Sequence, residues 1–228
     1  MPRSTDITRR IGIGGTLLVA AAASLISTAP AAGAAPADTA AACPDVQLVF
    51  ARGSGEVPGL GIVGDPLATK LKAALPSKTV DTYAVDYDAN WSQKTAPDGA
   101  TDITRVVTEI SARCSDTTFV LGGYSQGASA TAIALGVPTD FGVGEVVPEA
   151  LAPRIAAVVT FGDPLGMRKQ TIEQESALYG DRAKTYCTDG DPVCGAGVNV
   201  LAHLSYVVNS SIPDAVTFAS SKVLASKN

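Results

Sequence analysis

The stretch LGGYSQGASA, Leu121–Ala130, sets Ser125 among three glycines. An apolar run, TTFVLGG, leads into it and reads as a buried strand. The run that follows, QGASATAIALG, reads as a helix of small residues, able to pack closely on a sheet. Gly123 to Gly127 therefore form a G-x-S-x-G pattern at a strand–turn–helix junction. Such a sharp turn holds a serine hydroxyl clear of the sheet edge. A Cβ at either flanking glycine would crowd the neighbouring backbone. The helix start also offers free N–H groups to a developing negative charge. A tight packing turn is the plain alternative, and the ten residues alone do not separate the two.

Outward from this point the chain alternates. VQLVFARG reads as a strand ending in a glycine turn, and DPLATKLKAALP as a helix with Asp65 as cap and Pro66 at its first position. KTVDTYAVDY reads as a strand. DGATDITRVVTEISARC reads as an amphipathic helix whose Ile103, Val106, Val107 and Ile110 share a face. RIAAVVTFGD and AKTYC read as further strands on either side of an irregular polar region, and PDAVTFASSKVLAS as a closing helix. Strands alternating with helices imply a parallel sheet covered on both faces. In open sheets of that kind, sites form beyond the carboxyl ends of the strands. No internal repeat and no second domain are visible.

The first residues have another character. Arg3, Arg9 and Arg10 precede an apolar run from Ile11 to Ile26, followed by small residues in which Ala32-Gly33-Ala34 fits an A-x-A cleavage site. That order is expected of a secretory signal peptide over residues 1–34, with an Ala-rich flexible tail at 35–42 and one domain over 43–228. The arginine pair also allows twin-arginine export. Residues 1–34 carry three of the 17 basic and one of the 22 acidic residues, so the remaining 194 residues have a formal net charge of −7. An acidic chain without a basic run is not a nucleic-acid binder.

All four cysteines, Cys43, Cys114, Cys187 and Cys194, follow the leader. An even count in an exported chain reads as two disulfides. Cys187 and Cys194 flank the turn-forming TDGDPV and close easily, which leaves Cys43 with Cys114. The spacings suit no zinc site, and no metal is expected.

A serine hydroxyl needs a base near neutral pH. The chain has one histidine, His203, in NVLAHLSY after the last strand. In isolation a lone histidine is an ordinary surface or core residue. Its place late in the chain fits the order Ser…Asp…His of α/β-hydrolases. The orienting acid must then fall between Ser125 and His203, where Asp163, Asp189 and Asp191 all qualify. Oxyanion donors are expected from the N–H of Gln126 and from Ser54 in the early loop FARGSGE, where a routine Gly-Ser turn is the alternative.

FARGSGE, GGYSQGA, CTDGDPVC and AHLSY, in this order and spacing, resemble the cutinase family of secreted serine esterases from about Cys43 onward, and the leader resembles its actinobacterial, mycobacterial-type branch. The resemblance implies an α/β-hydrolase fold: three layers, a central parallel sheet of about five strands, no large lid. It implies Ser125 as nucleophile, His203 as base, Asp191 as acid in preference to Asp163 and Asp189, Ser54 and Gln126 as oxyanion hole, and the disulfides Cys43–Cys114 and Cys187–Cys194. It implies an exported monomer with no cofactor, acting on carboxylic esters of lipid, polyester or acylated polysaccharide. An acetylxylan esterase, a lipase or phospholipase, and a catalytically silent lipid-binding surface antigen are the alternatives. Val198, Val200 and Leu201 are candidates to line an acyl site. Trp91 either flanks the site or packs, and the segment 137–153 has no assigned role.

Overall fold

The computed structural model describes residues 42–226. The expected leader and nearly all of the Ala-rich tail lie outside them. Five strands, β1 (Val46–Ala51), β2 (Val80–Ala84), β3 (Thr118–Tyr124), β4 (Ile155–Phe161) and β5 (Ala183–Tyr186), pair in parallel in the order β2-β1-β3-β4-β5. Every residue of β1, β3 and β4 is buried, as a parallel sheet covered on both faces requires. Alternate side chains go to opposite layers. Val49, Ala51, Phe119, Leu121, Ile155 and Val158 enter one core with helices α2 (Ala96–Arg113) and α3 (Gln126–Ala134). Leu48, Phe50, Val120, Val159 and Phe161 enter the other with α1 (Gly61–Ala74) and the long C-terminal helix Ser211–Ala225.

Strand order reverses between β1 and β3, since the chain leaves β1 for β2 on one side and returns to β3 on the other. The two strands run in register, with Ala51 opposite Gly123. Their carboxyl ends therefore deliver Ser54 and Ser125 to one place, the switch point at which open sheets build their sites.

The turn at that point is strained. Ser125 has φ 55° and ψ −117°, a conformation that a residue with a Cβ adopts only where its surroundings enforce it. The flanking glycines are part of the enforcement. A Cβ on Gly127 would lie 2.0 Å from the Ala51 carbonyl oxygen, and one on Gly123 would lie 2.1 Å from the carbonyl oxygen of Gly127. Helix α3 thus sits backbone against backbone on β1. All nine of its residues are buried, so it is held from every side rather than by one apolar stripe. Gly122, without an evident task in the sequence, sits where a Cβ would lie 2.7 Å from the Val159 carbonyl oxygen and 3.0 Å from the Phe50 ring.

Helix α1 begins earlier than expected. Its first residue is Gly61, Pro66 lies inside it, and Asp65 is exposed rather than capping. The cap comes from Glu56, whose Oε1 accepts the Ile62 N–H at 2.7 Å. A distant carboxylate replaces the local one because the preceding loop folds back over the helix start. The irregular region before β5 contains a short helix, α4 (Ile172–Glu175), whose Glu173 Oε2 accepts the Thr185 hydroxyl at 2.8 Å. Segment 137–153 packs on α2 and α3: the Val147 N–H donates to the Ala134 carbonyl, and the Thr104 hydroxyl to the Glu145 carbonyl. Cys43 is bonded to Cys114, and Cys187 to Cys194.

Gly127→Ala forces α3 away from β1. Overpacking of this kind costs about 1–3 kcal/mol, so urea denaturation of the variant should show a clearly lower midpoint; an unchanged midpoint would mean that the contact is loose.

Candidate active site

Four loops at the carboxyl edge of the sheet carry the expected residues. Ser125 ends β3, and its own N–H donates to the Phe161 carbonyl at the end of β4. Asp191 lies in the loop after β5, closed by the Cys187–Cys194 bond, and is completely buried. Its Oδ1 accepts the Val193 N–H at 2.8 Å. Its Oδ2 accepts from His203 Nδ1 at 2.8 Å and from the Tyr206 hydroxyl at 2.6 Å. Three donors compensate the charge that burial would otherwise disfavour.

His203 ends a one-turn helix, α5 (Val200–His203), whose start is capped by Asn199 Oδ1 accepting the Leu201 N–H. Its ring stacks on Tyr124, with centroids 4.9 Å apart, and the Tyr124 hydroxyl donates to the His203 carbonyl oxygen at 2.7 Å. The residue next to Ser125 in sequence therefore clamps the imidazole from below. Gly162 leaves space for that imidazole, since a Cβ there would lie 2.6 Å from His203 Cε1. Among the described residues Ser125 Oγ makes no hydrogen bond. Burial pushes the Tyr124 and Tyr206 hydroxyls far above the ordinary tyrosine range, and the bond to Asp191 raises Tyr206 further. Both stay protonated donors.

The other two expected groups also meet. The Ser54 hydroxyl donates to Gln126 Oε1 at 2.9 Å, and Gln126 Nε2 donates to the Thr95 hydroxyl at 3.0 Å. The backbone N–H groups of Ser54 and Gln126 find no acceptor among the described residues. The loop that presents Ser54 is built on a buried arginine and a partly buried glutamate that sequence reading passed over. Arg52 donates to the carbonyls of Glu56, Val85 and Tyr87. Glu56 Oε2 accepts the Gly53 N–H at 2.5 Å. An arginine directly after a strand, followed four later by glutamate, was the signal available. Trp91 lies against Gly55, its indole filling the space a Cβ would take, and is 81% exposed. It both packs and faces outward beside Ser54.

The sequence profile described as Cutinase matches residues 42–223. The chain belongs to the cutinase family. It is 50% identical over 188 residues to a cutinase of Kineococcus radiotolerans, an alignment covering 82% of this chain and 64% of that protein. It is 40% identical over 195 residues to the phospholipase Culp4 of Mycobacterium tuberculosis, with 84% of each covered. Its structure matches a Trichoderma reesei cutinase in complex with a phosphonate inhibitor, with a TM-score of 0.63, 27% identity, and 79% and 77% of the two chains covered. Carboxylic ester hydrolysis is the chemistry of such relatives, and the five-stranded sheet with its flanking helices is the α/β-hydrolase arrangement they share.

In this cutinase-family chain the three acid candidates separate. His203 meets Asp191, whereas Asp189 is exposed. Asp163, at the end of β4, turns its Oδ1 to the Leu165 N–H and caps the turn that follows. Its Oδ2 has no hydrogen-bond partner among the described residues. Burial raises its carboxyl to about 6, with the Leu165 N–H holding it back in part. An ordinary aspartate titrates near 4. The folded chain therefore keeps this proton to higher pH than the unfolded chain does. This carboxyl's own contribution to stability is therefore lost as pH rises from about 4 through about 6, by about 3 kcal/mol. Asp163→Asn keeps the acceptor and removes the charge. Urea denaturation at several pH values should show that slope flattened and a more stable protein above pH 7; a less stable variant there would refute this account.

Proposed function

We propose that the protein is an exported serine esterase that cleaves carboxylic esters through an acyl-enzyme on Ser125. The observation that carries this reading is the buried Asp191 carboxylate, 2.8 Å from Nδ1 of the only histidine. That contact puts the neutral imidazole's proton on Nδ1 and leaves Nε2 as acceptor. His203 Nε2 takes the Ser125 proton as Oγ attacks the ester carbonyl, and Asp191 stabilises the imidazolium. The Ser54 and Gln126 N–H groups receive the oxyanion, aimed in advance by the Ser54–Gln126 bond. The alcohol leaves with the proton from Nε2. Water, deprotonated by the same nitrogen, then releases the acid and restores Ser125. All these groups come from one chain, so a monomer suffices. Two disulfides suit the oxidising surroundings outside the cytoplasm, in keeping with the leader expected over residues 1–34.

The rim favours esters with an apolar acyl part. Val198, Val200, Leu201 and Leu204, close to His203 in sequence, are exposed, as are Val57, three residues after Ser54, and Trp91, which lies against Gly55. A polar, sugar-binding mouth would carry a different set of side chains. A phospholipid is the second substrate reading, favoured by the 40% identity to a phospholipase.

Ser125→Ala should lower p-nitrophenyl butyrate hydrolysis by about a thousandfold or more, and a fluorophosphonate should label the parent one to one. Full activity in the variant would defeat the assignment. Fatty acid release from phosphatidylcholine, measured on the same pair, decides the phospholipid reading. Trp91→Ala should raise KM for an octanoyl ester roughly fivefold, about 1 kcal/mol of apolar contact, and leave acetate unaffected. Equal effects on both esters would place Trp91 outside the acyl path.

A further inference from the structure

Asp191 Oδ2 is shared. The His203 ring nitrogen reaches it at 2.8 Å and the Tyr206 hydroxyl at 2.6 Å. Tyr206 is completely buried, and its ring stands edge-on to Tyr124 and Phe161, each at 5.9 Å between centroids. The hydroxyl oxygen itself accepts the Thr188 N–H at 3.2 Å. With that lone pair occupied, the phenolic proton points at the carboxylate. The tyrosine therefore does more than fill space beneath the imidazole.

We propose that Tyr206 is a positioning residue for ester hydrolysis, whose hydroxyl both orients the Asp191 carboxylate and draws off part of its charge, setting how strong a base His203 is. This rests on the reading of Ser125, Asp191 and His203 as the reacting groups. The physical basis is competition. Two donors at one carboxylate oxygen each weaken the other, and in a buried site neither is replaced by water. The ionisable groups facing His203 are Asp191, Tyr206 and Tyr124, with Glu56 acting on Tyr124 from beyond. Only Tyr206 donates to the oxygen that His203 uses.

The competition fixes a sign. Without the hydroxyl, the carboxylate charge rests more fully on the imidazole and favours its protonated form. The acid limb of kcat/KM then moves to higher pH. A tyrosine that merely supported the fold would, on removal, let Asp191 drift from His203, and the limb would stay or move to lower pH.

The test is the pH profile of p-nitrophenyl butyrate hydrolysis by the parent and Tyr206→Phe. The acid limb is expected to rise by roughly half a pH unit, with kcat at neutral pH lower and KM unchanged. Because the chain has one histidine, the low-field proton spectrum of untagged protein reports its Nδ1–H directly, without turnover. That resonance should move further downfield in Tyr206→Phe as the remaining hydrogen bond shortens. An acid limb and a resonance that stay in place, or move the opposite way, overturn the proposal.

3-Fluorotyrosine placed at position 206 alone covers the case in which Tyr206→Phe does not fold. It strengthens the donor without removing it and should move both readouts in the reverse direction; no movement again overturns the proposal. Loss of the wider mechanism would show separately, as activity retained by Ser125→Ala, while the spectrum would still decide the role of Tyr206.

Discussion

A carboxylate without solvent is the constraint around which the carboxyl edge of this molecule is arranged. Asp191 is fully buried, and an unpaired charge in that position would cost several kcal/mol. The loop between Cys187 and Cys194 brings the Val193 N–H to one oxygen. The segment after it brings an imidazole and a phenol to the other. Each of these contacts stabilises the ion, and the one from Nδ1 also fixes the His203 ring. Holding the charge and orienting the imidazole are accomplished by the same bonds.

The opposite wall obeys a related logic with backbone in place of charge. The Ser54 loop is held largely by hydrogen bonds to its backbone. Arg52 gathers three carbonyls and Glu56 gathers two N–H groups from the same turn and from the start of α1. The Tyr87 hydroxyl donates to the Arg52 carbonyl at 2.5 Å. Gln126 then joins this loop to the start of α2 through Ser54 and Thr95. A loop satisfied in this way leaves the Ser54 N–H without an acceptor among the described residues, the condition the proposed oxyanion role needs.

Much of this was legible in the residues. Ser125 stands out because glycines are needed where α3 touches β1, and the contact distances at Gly123 and Gly127 give the physical reason. The single histidine needed no choice. Among Asp163, Asp189 and Asp191, by contrast, local pattern is silent, because the decision depends on which side chain the loop turns inward. The start of α1 was misplaced for a similar reason: its cap is Glu56, five residues before the helix, where no local capping pattern reaches. Tyr206 was quoted within a motif without a task, since nothing in its neighbourhood announces a bond to a residue 15 positions earlier. Local signals specify elements and turns; pairings made across loops emerge only with the fold.

The two halves of the site differ in how far along the chain their partners lie. Asp191 and His203 are 12 residues apart, whereas Ser54 and Gln126 are 72 apart. Closing the shorter loop costs little entropy, and the Cys187–Cys194 ring lowers that cost further. The longer closure is met only when β1 and β3 have paired in register. The Asp191–His203 pairing thus spans a short segment, although the Tyr124 ring that stacks on the imidazole comes, like the Ser54–Gln126 contact, only with the sheet. A chain in which only the 12-residue pairing has formed would hold Asp191 beside His203 while Ser54 and Gln126 were still apart.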